Sequence, residues 1–376
     1  MFKSKRKLQF SILAVLIGFT VGAVLAEILT VVWMETILAK QDALVYGVLK
    51  IERQGERYQA HPYMNFVPRP GFEKMDPKSG EAKSRFNSLG FRGPDIEVPK
   101  PSGVFRIVFI GGSAPFSSRV ADDAGTISAQ TQRKLRDLGY RRVEVVNAAV
   151  PGYSTAEALA MLQFRVLEIS PDLIIVYEGM NDLHNRYVPP ELFHADNRGR
   201  LQDWRDNEWP WWMYSKFLRV LGYKIGFAKK YFFTDYYVAA PTYLGHTADA
   251  SLSAGVDYEK LLKANGTRFY RENLQSIFAI CRARNIPVMM TTYPHTDAVE
   301  ELGYLNTKNY RAGLKEINQA AREVSAANKI PLLDLDVLMP TAKELWRDEI
   351  HVSVSGAAVM AGLFTDFIVK NQMVRP

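Results

Sequence analysis

Three short apolar, β-rich runs, each stopped by a glycine-bearing turn, constrain this chain more than anything else in it. They are Phe105–Ile110 ending at Gly111-Gly112-Ser113, Val143–Asn147 followed by Ala148-Ala149-Val150-Pro151-Gly152, and Asp172–Tyr177 leading into Gly179-Met180-Asn181-Asp182. Runs of this kind read as buried strands of a parallel sheet. A helical stretch at about Thr126–Leu138 follows the first, and Ser154-x-x-Glu157 fits a capping box opening a helix after the second. The rhythm resumes later with a helix near Arg268–Arg284, a strand at Pro287–Tyr293, a helix near Asn306–Asn328, a strand at Pro331–Leu335 and a final helix at about Ser353–Lys370. The expectation is an α/β fold around a central parallel sheet of about five strands.

The ends of these runs carry chemistry. A strand, a tight glycine turn and a helix expose one hydroxyl at the carboxyl end of a sheet, and Ser113 sits there. Its backbone N–H is free to face a developing oxyanion. Gly152 lets its N–H approach a substrate oxygen with no Cβ in the way. The Asn181 side-chain amide is a neutral donor suited to the same oxyanion. Taken singly, Gly-Gly-Ser fits an ordinary βα turn with Ser as N-cap, and Asn181 fits a turn residue. Three such features in succession, each at the carboxyl end of a strand, point to a site, because ligands of open α/β sheets bind in that crevice.

Asp348-Glu349-Ile350-His351 adds an acid three residues before a histidine. An Asp in that position fixes the imidazole tautomer and stabilises the imidazolium, while the His takes the serine proton. Ser113, Asp348 and His351, with Ser113, Gly152 and Asn181 as oxyanion donors, make a full set for acyl transfer through a serine nucleophile. His184, just beyond Asn181, and His295, after Tyr293-Pro294, are candidates to line the cleft.

In their order, these blocks resemble the SGNH (GDSL-like) hydrolase superfamily, named for Ser, Gly, Asn and His, which fall here on Ser113, Gly152, Asn181 and His351. The resemblance covers roughly residues 104–370. It implies a flavodoxin-like three-layer α/β/α sandwich and ester hydrolysis or acyl transfer, with no metal or cofactor. The flank Arg85-Phe-Asn-Ser-Leu-Gly-Phe-Arg-Gly93 is similar to the lead-in of many membrane-anchored bacterial members. One departure stands out: the family's first block is often Gly-Asp-Ser, and this chain has Gly112 where the Asp would be. That Asp is not the triad acid, so nucleophile and base survive, while the hydrogen bonding of the first turn must differ.

The amino terminus places the chain. Lys3, Lys5, Arg6 and Lys7 precede the uncharged run Leu8–Ala26, which as a helix spans roughly 28 Å at 1.5 Å per residue, about one hydrocarbon core. Glu27 interrupts it, and Ile28–Met34 is again apolar. The positive cluster predicts the amino terminus inside and the rest outside, periplasmic in a Gram-negative cell. Val24-Leu25-Ala26 is an acceptable signal-peptide cleavage site, but the apolar run continues past it, which favours a retained single-pass anchor.

The remaining regions follow from that frame. Residues 1–39 read as basic tail and anchor, 40–103 as a Pro- and Gly-bearing membrane-proximal extension, and 104–376 as the catalytic domain. An aromatic-rich insertion at about 185–265 carries Trp204, Trp209, Trp211 and Trp212, then Tyr231, Phe232, Phe233, Tyr236 and Tyr237. It reads as a lid, a surface resting on the bilayer, or a satellite hydrophobic core. The formal charge of +7 comes without any aromatic–basic nucleic-acid motif, so no nucleic-acid partner is expected. The single Cys281 excludes a disulfide framework within the chain and any CxxC metal site. The expected function is hydrolysis of small acyl esters, such as acetyl groups on a cell-envelope glycan. The alternatives are an O-acyltransferase acting on an extracytoplasmic polysaccharide and a non-catalytic glycan-binding protein on the same fold.

Overall fold

The computed structural model describes residues 2–37, 57–61, 63–75, 82–188, 190–197, 211–227, 257–300 and 308–375. Its centre is a five-stranded sheet of β5 (Phe105–Gly111), β6 (Val143–Asn147), β7 (Leu173–Tyr177), β8 (Val288–Thr291) and β9 (Leu332–Leu333), in the order β6-β5-β7-β8-β9. Every pairing is parallel. In β7 every side chain is buried, as the continuous Leu-Ile-Ile-Val-Tyr run requires of a strand covered on both faces.

Helices cover both faces. Ile127–Asp137 and Val354–Lys370 pack together on one side, where the Phe364 ring meets Phe109 of β5 edge-on at 4.9 Å. Thr155–Met161, Arg268–Ala283 and Lys308–Asn328 form the other layer. Replacing Phe109 or Phe364 by Ala, both fully buried, would cost about 3–5 kcal/mol. Cys281 lies in this second layer, and burial pushes its thiol up to about 12.

The strand order decides where a site can be. The chain leaves β5 to one side to form β6 and returns to the other side to form β7. The carboxyl ends of β5 and β7 therefore flank a topological switch point, where the connecting loops diverge and leave a crevice.

β8 and the edge strand β9 are shorter than the sequence suggests. β8 stops at Thr291 because the Tyr293 N–H donates to Asn318 Oδ1 (2.7 Å), while the Asn318 amide donates back to the Tyr293 carbonyl (2.9 Å). β9 ends where Asp334 turns away to accept from Arg322 (2.8 Å) and from the Thr292 hydroxyl (2.7 Å).

Two small antiparallel hairpins precede the sheet: β1 (Tyr58–His61) with β2 (Asn65–Pro68), and β3 (Glu73–Met75) with β4 (Ala82–Arg85). They share the hydrophobic core through Tyr58, Phe66 and Phe86. The lead-in that follows is a brace. Asn87 Oδ1 accepts from the N–H groups of Leu89 (3.0 Å) and Phe91 (2.9 Å), which shapes the turn. Arg92 then reaches inward. Its guanidinium donates to the carbonyls of Phe116, Ser117 and Val120, all at 2.9 Å, and to Asp123 (2.8 Å). Those carbonyls belong to the segment directly after Ser113.

The helix Phe2–Thr36 stands apart from this core. Residues 9–34 are long and apolar enough to cross a membrane, with a mean hydropathy of 2.5. Of the aromatic-rich insertion, Trp204 and Trp209 and the cluster from Tyr231 to Tyr237 lie outside the described residues, while Trp211 and Trp212 lie within them.

Candidate active site

Ser113 is the first residue of a short helix, Ser113–Phe116, with Gly112 as its N-cap. Its backbone N–H is thus one of the donors that a helix start leaves without an intrahelical acceptor. The histidine comes from the loop before the last helix. There the Arg347 N–H donates to the His351 carbonyl (2.8 Å), closing a tight turn. Ser353 then caps the helix by accepting from the Gly356 N–H (3.1 Å).

The three side chains meet in one line. His351 Nε2 is 2.7 Å from Ser113 Oγ, and His351 Nδ1 is 2.8 and 2.9 Å from the two Asp348 oxygens. A carboxylate at Nδ1 makes that nitrogen the proton carrier, so Nε2 presents its lone pair to the serine hydroxyl. The Asp348 side chain is fully buried. Burial alone would raise its pKa. The His351 ring, the Ile350 N–H (3.1 Å) and the Arg119 guanidinium (Nε to Oδ2, 2.8 Å) outweigh that and bring it down to about 2. Asp348 is therefore an anion at any working pH.

Asn181 and Gly152 arrive from the other two loops. Asn181 lies in the first turn of the helix Met180–Asn185 after β7 and is buried. Its amide donates to the Tyr153 carbonyl (2.6 Å), and the next residue, Asp182, accepts from the Thr155 N–H (3.0 Å). The turn after Gly152 is thus held by two adjacent residues of the third loop. Gly152 itself has φ +90°, a backbone that only glycine adopts without strain. From below, the Val150 N–H donates to the Gly111 carbonyl (2.9 Å), and the Asn147 amide donates to the Pro115 carbonyl (3.1 Å).

The first turn explains its missing aspartate. A Cβ on Gly112 would lie 2.5 Å from the Asn181 amide nitrogen and 2.5 Å from a Glu178 carboxylate oxygen. The space beside Ser113 is already filled, and by an acid. Glu178 is buried at the end of β7, and its other oxygen accepts from the N–H groups of Gly179 (2.8 Å) and Asn181 (3.3 Å).

Three neighbours of the site are not evident in the sequence: Arg119, Glu178 and Tyr293. Arg119 is half-exposed and reaches a partner 229 residues away, a separation that leaves no local signal. Tyr293 is buried, its ring 5.3 Å from Tyr177. Burial pushes its hydroxyl well above the usual phenol range, with Tyr177, Glu178 and Asp348 adding, while a hydrogen bond with Ser113 works the other way.

The two histidines considered as cleft linings are placed differently from His351. The His184 ring packs 5.8 Å from Tyr310 within the second helical layer, and His295 Nε2 lies 3.2 Å from Asp297. Among the described residues, no group of three or more His, Cys, Asp or Glu side chains is arranged to hold a metal ion.

A fold built on a switch point, with Ser, Gly, Asn and His blocks at its rim, matches the profile of the GDSL-like Lipase/Acylhydrolase family over residues 109–359, and the chain belongs to that family. In general terms this makes it a hydrolase of ester bonds. Similar solved structures include an acetyl xylan esterase, AlAXEase (15% identity, covering 69% of this chain and 98% of that one, TM-score 0.39). Another is the lipase/acylhydrolase from Enterococcus faecalis (19% identity, 71% and 97%, TM-score 0.42). A third is the psychrotrophic esterase EstA from Pseudoalteromonas sp. (12% identity, 71% and 98%, TM-score 0.41). No curated protein matches the chain.

Proposed function

We propose that the chain is a serine esterase whose nucleophile is Ser113, with His351 as base and then acid and Asp348 as the orienting carboxylate. The observation that carries this reading is the unbroken line Asp348–His351–Ser113, with contacts of 2.7–2.9 Å. As Ser113 Oγ bonds to the ester carbonyl carbon, its proton passes to His351 Nε2. The carbonyl oxygen becomes an oxyanion held by the N–H groups of Ser113 and Gly152 and by the second amide hydrogen of Asn181. Collapse expels the alcohol, which takes the proton from His351 and leaves an acyl group on Ser113. Water then attacks that acyl carbon, giving its proton to His351; the Oγ–acyl bond breaks, and His351 returns the proton to Ser113 Oγ as the acid leaves. Asp348 stays ionised throughout and offsets the imidazolium charge.

The amino-terminal helix is the anchor in this reading, with the cationic Lys3–Lys7 segment inside and the site on the extracytoplasmic side. Small acyl esters on a cell-envelope glycan are the substrate class that this location supports. The catalytic part is tested with p-nitrophenyl acetate and purified Ser113→Ala. Turnover should fall to background while the thermal midpoint stays within a few degrees. Undiminished hydrolysis by the variant would remove Ser113 from the mechanism.

A further inference from the structure

The helix Phe2–Thr36 is fully exposed over residues 9–25, but the next turns carry a contact. Ala26, Glu27, Thr30, Val31, Trp33 and Met34 are partly or fully buried, a stripe at helical spacing along one face. What covers it includes residues 211–227. Glu27 is the clasp: its carboxylate accepts from the Ser215 hydroxyl (2.6 Å) and from the N–H groups of Lys216 (2.7 Å) and Phe217 (3.0 Å). An acid from one helix thereby caps the amino end of another, Lys216–Lys224, satisfying donors that the second helix cannot satisfy itself. Lys224 closes the far end over the Trp33 ring at 5.8 Å.

The outward side of this docked segment is apolar. Trp211, Tyr214, Leu221, Ile225 and Phe227 are 81, 63, 41, 67 and 75% exposed. The helix beneath adds exposed Ile28, Leu29, Val32 and Ile37 along the stretch on which the segment docks. A soluble surface does not leave such a patch uncovered. The 26-residue apolar stretch Gln9–Met34 measures roughly 39 Å at 1.5 Å per residue, against about 30 Å for a hydrocarbon core. With Gln9 at the inner boundary, the outer boundary falls near Glu27–Leu29, and the excess length stands in the headgroup layer. Glu27 and the start of the docked helix stand at the inner side of that layer, and Trp33 with Lys224 stands roughly 9 Å further out. Tryptophan and tyrosine belong at that depth, and the lysines that flank the segment suit anionic headgroups.

We propose that residues 211–227 are a second membrane-contacting element, clasped to the anchor by Glu27, whose exposed aromatic and aliphatic side chains enter the outer leaflet and fix the catalytic domain against the bilayer. This rests on reading Gln9–Met34 as a membrane anchor. It also accounts for the acid at position 27: the carboxylate sits where the helix leaves the hydrocarbon and meets its partner.

The test uses the full chain in 3:1 phosphatidylcholine–phosphatidylglycerol vesicles. Cys281 is fully buried, so it stays unlabelled, and single cysteines are introduced into the natural sequence. Nitroxides at Leu221→Cys and Phe227→Cys are compared with Val15→Cys on the anchor and with Val337→Cys, which is 72% exposed on the catalytic domain. Accessibility to oxygen relative to a water-soluble nickel complex reports depth. The expected result is a ratio at 221 and 227 several-fold above that at 337, with 15 deeper still, and a shift of both labels toward the value at 337 in Glu27→Ala. If 15 is in lipid while 221 and 227 match 337, the proposal falls and the anchor stands. If 221 and 227 exclude both relaxants, a protein partner covers the patch and the proposal falls. A water-exposed label at 15 overturns the anchor and the proposal together.

Discussion

The catalytic edge of the sheet and the clasp on the amino-terminal helix both join distant segments through the start of a helix, yet they are held in opposite ways. At the sheet edge, each of the three loops is tied to the others by several independent groups. Asn147 and the Val150 N–H fasten the second loop to the first, Asn181 and Asp182 fasten the third to the second, and Arg92 binds three carbonyls just past Ser113. At the clasp, the hydrogen bonds converge on one carboxylate, Glu27. The difference follows from what each place must do. Proton transfer at 2.7 Å tolerates displacements of only about half an ångström, so the site is fixed from many directions. Resting on a fluid surface, as proposed for residues 211–227, needs no such precision, and one carboxylate with the Lys224–Trp33 contact suffices.

That contrast can be broken most sharply at His351, which in the proposed mechanism supplies chemistry but little scaffolding. His351→Ala should lower kcat by roughly 10⁴-fold or more, while the thermal midpoint drops but the fold persists, because Asp348 keeps its bonds to Arg119 and the Ile350 N–H and the loops have other ties. A variant that unfolds would mean that the relay itself holds the edge together.

In the proposed mechanism Asn181 does both jobs, so its loss should show both effects. Asn181→Ala should cost roughly a hundredfold in kcat, as removal of one oxyanion donor typically does, with a smaller change in KM. Stability should also drop, by about 1 kcal/mol, for the lost bond to the Tyr153 carbonyl. Steady-state kinetics and a urea titration separate the two. A raised KM at constant kcat would make Asn181 a ligand of the ground state instead.

Gly112 tests how full the edge is. Gly112→Asp introduces the residue that the family's first block often carries at this position, and it should still lower activity, by up to roughly a hundredfold. The new side chain meets the Asn181 amide and Glu178 at 2.5 Å, and small displacements in an active site are expensive. Activity equal to or above that of the natural chain would show that Glu178 can move aside at no cost.

The smallest effect concerns acid stability. The folded pKa of Asp348 is lowered to about 2. An unfolded aspartate titrates near 3.9, so this carboxylate contributes about 2 kcal/mol above that value, and the contribution disappears as pH falls toward the folded pKa. Urea unfolding from pH 6 to pH 2 should therefore show wild type and Asp348→Asn converging below about pH 4. A constant gap across that range would mean the shift is not linked to folding.

Much of this arrangement is legible in the sequence because it is local. Each of the first three blocks is an apolar run followed by a glycine, so strand, stop and exposed polar residue are read in one window, and Asp348 and His351 are three residues apart. What escaped is non-local or disguised. Arg119 lies in a loop far from Asp348 in sequence and is recognisable only once the fold brings them together. Glu178 hides between a strand and a glycine, where an acid reads as the first solvent-facing residue. In the structure it is buried, held by two backbone N–H groups. Glu27 is visible as an interruption of an apolar helix, but its reason lies 188 residues away, in Ser215. The edge strand β9 was overdrawn because sequence cannot show that Arg322 and Thr292 pull Asp334 out of register.

The central claim is that Ser113 forms the acyl-enzyme, and it is met most directly by covalent trapping. The full-length protein, in detergent, is incubated with a fluorophosphonate and digested, and the modified peptide is identified by mass spectrometry. The mechanism requires one adduct, on the peptide carrying Gly111-Gly112-Ser113, lost in Ser113→Ala and greatly slowed in His351→Ala. An adduct on a different serine, or undiminished labelling of Ser113→Ala, would contradict it.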